Sequence, residues 1–300
     1  MTLSQSILAT LSYHDIFDYP LTAQEVHQYL IVKRSKLDAV VKELLTLTKS
    51  SKIGQKDQYY FLKGRTQIVS LRKQRQRYSK AKIKKALFFA KVLKIIPTLK
   101  LMAISGALAM QNSHKNDDID LVLITSQNTL WTTRFVANIL LVPFKRDVKG
   151  QKVADRACLN VFLEGSDLKI NPPNLYLAHE ICQMKPIWDR DNTYRRFIDA
   201  NKWVYKFLPN WQVSSQFTVD SSQKIKPSTV NRQLSAVETF LKKFQLWYMK
   251  GKITTERIGK HQLFFHPQNT GEWVMGEYQR RLKKLGQLLV FDKVKTHSII

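Results

Sequence analysis

The sequence predicts an α+β protein: a helical N-terminal module ending in a hairpin, a small mixed sheet flanked by helices, and a helical C-terminal region. Three observations carry this. Residues 1–62 run as three segments of helical apolar period followed by two short β-rich ones. Residues 99–164 switch between continuous apolar runs and a helix-like stretch, as strands separated by a helix do. From about residue 174 onward the apolar spacing is helical.

Taken in order, Leu3, Ile7, Leu8 and Leu11 mark a first helix. Pro20 and Thr22 open a second, with Val26 and Leu30 on one face. Ser35 reads as the cap of a third, which carries Leu37, Val40, Val41, Leu44 and Leu45. The stretch 52-KIGQKDQYYFLKG-64 then reads as strand, polar turn and strand. Three helices and a hairpin are the order of a winged helix-turn-helix, assigned to residues 1–64. Lys33, Arg34, Ser35 and Lys36 open its presumed recognition helix, enough for phosphate contacts but with no Asn or Gln beyond them to read base edges.

A basic connecting segment follows over 65–98, helical over roughly 65–96. From Gln58 to Asn116, 59 residues, there is no Asp or Glu. Ten basic side chains fall between positions 63 and 85: Lys63, Arg65, Arg72, Lys73, Arg75, Arg77, Lys80, Lys82, Lys84 and Lys85. Anion binding and a plain solvated helix face are both open readings. Pro97 ends the helix, and a sheet domain is assigned to 99–210. Its strands are expected at 99–105, 120–125 and 156–164, with a helix at 129–142. Further helices are expected at 174–184, 191–207, 229–250 and 271–290. The Ser-, Gln- and Lys-rich stretch assigned to 211–228 reads as a linker, and 229–300 as a helical C-terminal region.

A 300-residue chain with 44% hydrophobic and 11% aromatic residues has material for a packed core and is not a disordered chain. Its 49 Lys and Arg against 23 Asp and Glu leave +26, which favours a polyanionic partner. Cys158 and Cys182 are too few for a disulfide framework or a four-cysteine zinc site, and both read as core thiols. Apolar runs such as 135-FVANILLVPF-144 are about half the ~20 residues of a bilayer helix, and no signal peptide is evident, so the expectation is a cytoplasmic protein.

Against that basic background, 104-ISGALAMQNSHKNDDIDLVLI-124 collects Asp117, Asp118 and Asp120 at the mouth of an apolar strand. Alternation along a strand turns Asp118 and Asp120 to one face and Ile119 to the other. Two carboxylates so aligned suit one hard cation such as Mg²⁺, with phosphate oxygens as further ligands. Upstream, Ser105-Gly106-Ala107 lies where strand gives way to helix, and a glycine there lets backbone N–H groups approach a phosphate. Asp117 reads as a loop or capping residue, His114 as a loop histidine, and His261 and His266 as structural. Trp203, Tyr205, Phe207, Trp247 and Tyr248 recur at helical spacing and read as core.

The glycine turn, the spacer and Asp-Ile-Asp resemble the signature of the DNA polymerase β-like nucleotidyltransferase superfamily. The N-terminal LSYHDIFDYPLT, with NLYLAHEICQMKPIW and KWVYKFLPN, is also similar to bacterial proteins with a nucleotidyltransferase domain. The resemblance implies a nucleotidyltransferase-type sheet, Mg²⁺ or Mn²⁺ at Asp118 and Asp120, and a nucleoside triphosphate gripped by the turn of Ser105, Gly106 and Ala107. It also implies NMP transfer to a hydroxyl of a small molecule, protein or RNA end, with pyrophosphate released. Two positions depart from it. Ala107 lacks the hydroxyl common there, leaving Ser105 or Ser113 to replace it. Asn160, assigned with Ser105, Gly106 and Ala107 to cofactor binding, stands where a third carboxylate is expected. It can ligate a metal weakly but cannot take a proton, leaving Glu164 or Glu180 to supply the carboxylate, with Glu180 the assigned catalytic base. The alternative is a nucleic-acid-binding regulator whose sheet domain has lost turnover, with Asn160 as the trace of that loss; a scaffold that senses nucleotide is a third.

Overall fold

The computed structural model describes residues 1–147, 152–213, 232–250, 256–265 and 269–286. Its first elements are α1 (Leu3–Asp15), α2 (Ala23–Gln28), α3 (Leu37–Lys49), β1 (Ile53–Lys56), β2 (Tyr59–Leu62), α4 (Ile68–Leu93), β3 (Leu99–Ile104), α5 (Gly106–Ala109) and β4 (Ile119–Thr125). There follow α6 (Leu130–Leu140), β5 (Ala157–Glu164), α7 (Leu175–Gln183), β6 (Lys185–Asp189), α8 (Thr193–Ala200), α9 (Arg232–Met249), β7 (Arg257–Ile258), β8 (Gln262–Phe264) and α10 (Asn269–Lys284). The chain is α+β and divides into two compact units. One comprises Met1–Ser70, Leu208–Trp211 and Gly271–Ile300; the other Leu71–Phe207 and Gln212–Thr270. The expected linker falls mostly on residues 214–231, outside the described residues, as does His266.

In the first unit, Thr2 with Gln5 and Thr22 with Glu25 form capping boxes that satisfy the free N–H groups opening α1 and α2. Ser35 does not cap α3. The N-cap is Lys36, without a side-chain bond, and the Ser35 N–H donates to Asn210 Oδ1 at 3.1 Å. Asn210 Nδ2 donates in turn to His27 O at 3.0 Å, fixing the segment between α2 and α3. The hairpin β1–β2 pairs antiparallel, Ile53 opposite Leu62. Tyr278 of α10 packs edge-on to Tyr13 of α1, and Asp15 accepts from Arg65 Nε (2.8 Å) and Arg281 Nε (3.0 Å).

The second unit is built on a six-stranded mixed sheet, β6-β3-β4-β5-β8-β7. β4 runs parallel to β5 and antiparallel to β3, and the remaining pairs are antiparallel. Ile119, Leu121, Val122, Leu123 and Ile124 are all buried, as a strand covered on both faces requires. Three strands were not legible in the sequence. β6 carries Pro186 and follows α7 directly, and the proline is tolerated because β6 is a sheet edge with a register shift beside that residue. β7 and β8, two and three residues long, are too short for a period to register, and they correct the expectation of a purely helical C-terminal region.

The long basic helix also departs from expectation. Arg72, Arg75, Ser79, Lys82, Ala86, Phe89 and Leu93, three or four residues apart, form its buried stripe. Three of the ten basic side chains thus point inward, while Lys73, Arg77, Lys80, Lys84 and Lys85 stay exposed. On α9 the helical period inverts the expected burial. Leu241 and Gln245 are buried, and Gln245 Nε2 donates to Trp131 O of α6 at 2.9 Å, so Trp247 (70% exposed) and Tyr248 (59%) lie outside the core. Tyr205 is exposed too, whereas Trp203 and Phe207 are half-buried. Glu238 of α9 accepts from the N–H groups of Trp131 (2.7 Å) and Thr132 (2.8 Å), capping α6 from outside. Among the described residues, no helix is long and apolar enough to cross a membrane.

Candidate metal centre

Strand parity places the acidic pair as the sequence implies. Ile119 is fully buried, and Asp118, Asp120 and Cys158 each offer a ligand atom within 4.8 Å of one another. Register explains the third member, because Asp120 lies opposite Cys158 in the β4–β5 ladder. On the other side the Ser105 N–H donates to Asp120 O at 3.1 Å, carrying the β3–β4 pairing one residue beyond Ile104 and Leu121. Residues directly opposite in a sheet share a face, so Ser105, Asp120 and Cys158 form one row across three strands. Cys158 is a correction: it is partly buried at the centre and not a core thiol, while Cys182 is buried as expected.

Asn160 reaches the row through a bulge. Leu121 pairs with Leu159 and Val122 with Val161, so Asn160 is the extra residue, and bulges re-aim side chains in this way. Its Nδ2 donates to Asp120 Oδ1, and its Oδ1 accepts from Cys158 Sγ at 3.1 Å. It therefore holds two prospective ligands. Asp118 Oδ2 accepts from Arg146 Nη1 at 2.8 Å, and the Arg146 N–H is anchored on Ala157 O at 3.0 Å.

Gly106 has φ +60°. A Cβ there would lie 3.0 Å from Asp120 Oδ2, so the glycine is needed both for its conformation and for the approach of the carboxylate. Gly106→Ala is expected to lower divalent-cation affinity at least ~10-fold, since ~1–2 kcal/mol of left-handed strain adds to displacement of the Asp120 carboxylate. Calorimetric titration with Mn²⁺ checks it, and unchanged affinity counts against the turn belonging to the centre. Ala107 is exposed on the first turn of α5, and its carbonyl accepts from Asn112 N at 2.8 Å.

The spacer between glycine and carboxylates is tied to α4, which gives the buried cations their work. Arg75 Nη1 donates to Asn112 Oδ1 (3.2 Å), and Ser79 Oγ accepts from Ser113 N (3.2 Å). Lys82 Nζ donates to Lys115 O (3.1 Å), Asp117 O (2.6 Å) and Asp155 Oδ1 (2.8 Å). Asp117 Oδ2 accepts from His114 N at 2.7 Å, so Asp117 is the loop residue expected and belongs to no metal group. A separate cavity of about 320 Å³, lined by Phe88, Phe89, Phe144, Lys85, Asp155 and Arg156, has its one carboxylate already paired with Lys82 and Lys85. The acidic row, not this cavity, holds the groups suited to chemistry.

Burial, then the like charges of Asp118 and Glu180, push the Asp120 carboxyl up to about 7, against the opposing effects of Asn160 and Arg146. Burial pushes Glu180 up to about 7 as well, although part of its surface remains accessible. Tyr176, one turn earlier on α7, is raised by burial and by the charges of Glu180 and Asp120. Glu180 therefore lies within electrostatic reach of Asp120. Glu164 does not: it faces Thr125, five residues along β4 from Asp120 and ~17 Å away at ~3.3 Å per residue. There it accepts from Ser166 Oγ at 2.7 Å and lies 3.3 Å from His261 Nδ1. Burial and the two aspartates raise the Cys158 thiol, a balance that a bound cation reverses.

Fold and site together define an α+β chain with a candidate cation centre at the mouth of a central strand. Comparison with protein-family models, with curated proteins and with solved structures finds no match.

Proposed function

We propose that the chain is a metal-dependent nucleotidyltransferase that moves NMP from a nucleoside triphosphate to a hydroxyl acceptor. The carrying observation is the convergence of Asp118 and Asp120 at one point, with the Asp120 carboxylate lying directly against the Gly106 turn. The donor set fits a divalent cation. Burial and the charge of Asp118 raise the cost of ionising Asp120, and Ser105 Oγ is buried in the same row without a hydrogen-bond partner. Asp118 and Asp120 would hold Mg²⁺ or Mn²⁺, which when bound neutralises charge on the triphosphate and its leaving pyrophosphate.

The chain's own residues supply the rest. Asn160 orients Asp120 through its amide. Arg146, half-exposed and fixed at its backbone, can turn from Asp118 to a phosphate oxygen once the pair is neutralised. Glu180 replaces the carboxylate missing at position 160, and a value near 7 suits a base that takes the acceptor's proton. The test uses the full chain with Mg²⁺ or Mn²⁺ and each of the four common NTPs. Cation-dependent pyrophosphate release and NMP label on bulk RNA, a small polyol or the chain itself are expected. No release and no NTP binding under any combination overturns the reading.

One observation favours a second reading, a nucleic-acid-binding regulator: the strand-borne third carboxylate is an asparagine already engaged with Asp120. The exposed Lys33, Arg34 and Lys36, in the winged-helix reading of residues 1–64, and the exposed lysines of α4 would then contact phosphates. Binding that weakens steeply with salt, without turnover, would favour it over the enzyme.

A further inference from the structure

We propose that Cys158 is a third protein ligand of the centre, making it a thiophilic site that takes Zn²⁺-class cations in preference to Mg²⁺ and is switched off by them. Mg²⁺ is a hard cation that wants oxygen and near-ideal octahedral geometry, and a sulfur ligand gains it little. Zn²⁺ and Cd²⁺ accept thiolate and carboxylate together in four-coordinate sets. The ladder puts Cys158 directly opposite Asp120, and its sulfur lies within 4.8 Å of both carboxylates.

A second observation is independent of this cluster. Ser105, 6% exposed, stands on the other side of Asp120 in the same cross-strand row, and its buried Oγ has no hydrogen-bond partner. A buried hydroxyl seldom goes unsatisfied, and one that shares the face of the row is a ready contact for a water or anion completing the coordination of an ion. The three ligand residues are each partly buried and not sealed off from solvent, which leaves room for a further ligand from water. Asn160 supplies the outer contacts that metal ligands require, holding the carboxylate of Asp120 with its amide N–H and the thiol of Cys158 with its carbonyl oxygen. On binding, the thiol proton passes to solvent and the sulfur becomes the ligand.

Binding stands on this geometry alone; the switching-off rests on the nucleotidyl-transfer reading. The test titrates Cd²⁺ into the metal-stripped full chain, with Mg²⁺ in large excess, and reads sulfur-to-cadmium charge-transfer absorption and stoichiometry. One Cd²⁺ per chain with that absorption is expected. Cys158→Ser should lose the band and weaken binding at least ~100-fold, while Cys182→Ser keeps both. Should Cys158→Ser fail to fold, alkylation of the native chain replaces it, with Cd²⁺ expected to slow modification of Cys158. No band, a band that survives Cys158→Ser, or unchanged Cys158 alkylation overturns the proposal. If the band behaves as expected but no NTP is turned over, the enzyme reading and the switching-off fall while the thiophilic site stands. If turnover exists and Zn²⁺ inhibits Cys158→Ser as well as the native chain, the regulatory role falls.

Discussion

Asp118→Asn and Asp120→Asn are each expected to lower Mg²⁺-dependent NTP turnover by at least ~10³-fold, because a cation clamp on a triphosphate is worth several kcal/mol of barrier. Neither change should unfold the chain. Asn is nearly isosteric with Asp, and at position 120 it keeps an oxygen to accept from Asn160 Nδ2. At position 118 Asn keeps an oxygen for Arg146 and loses only the charge, and water can satisfy the rest of that half-exposed guanidinium. The measurements are kcat/KM for pyrophosphate release and the circular dichroism spectrum of each variant. Undiminished turnover in both rejects the centre. A loss confined to Asp120→Asn would leave proton exchange with Glu180 as the chemistry and remove the shared cation from the account.

The acidic pair and the glycine turn were legible in the sequence because each obeys a short-range rule. Parity over two residues fixes where Asp118 and Asp120 point, and an apolar run on both faces identifies β4 as central. Asn160 was legible as a position but not as a role, since the bulge that aims it is a property of β5 paired with β4. Cys158 was missed for a related reason. A thiol in an apolar strand reads as core until the β4–β5 register sets it opposite Asp120, and that register is not encoded locally. The basic run misled more fully, because composition counts charges without showing which face carries them. Arg75 and Lys82 turn inward to hold Asn112, Lys115 and Asp117, a contact separated by more than thirty residues that no local pattern encodes. Conversely, the aromatics of α9 have core-like spacing, but their face is set by where α6 docks.

Without a cation the chain is expected to lose stability as pH rises from about 4 to about 7, and to regain it when Mn²⁺ or Mg²⁺ is added. The carboxyls of Asp120 and Glu180 titrate near 7 in the folded chain, against ordinary values of 3.8 and 4.5. Across that window the folded state holds protons that the unfolded state has released, so unfolding becomes easier with rising pH. Each tenfold difference in proton affinity between the two states corresponds to ~1.4 kcal/mol. The two sites are coupled and Asp120 is partly solvated, which brings the expected total for the pair down to about 2–4 kcal/mol. Asp120→Asn removes one of the two charges, and should be more stable than the native chain by about 1–3 kcal/mol at pH 8 but not at pH 4, by the same linkage. Urea unfolding at both pH values, with chelator and with Mn²⁺, measures all of this. The cation should invert the trend, since it binds only the ionised carboxylates and so stabilises most where the apo chain is weakest. An apo chain as stable at pH 8 as at pH 5, with Asp120→Asn no better, would mean that burial does not hold these carboxyls above their ordinary range. The demand for a bound cation at this strand mouth would then disappear.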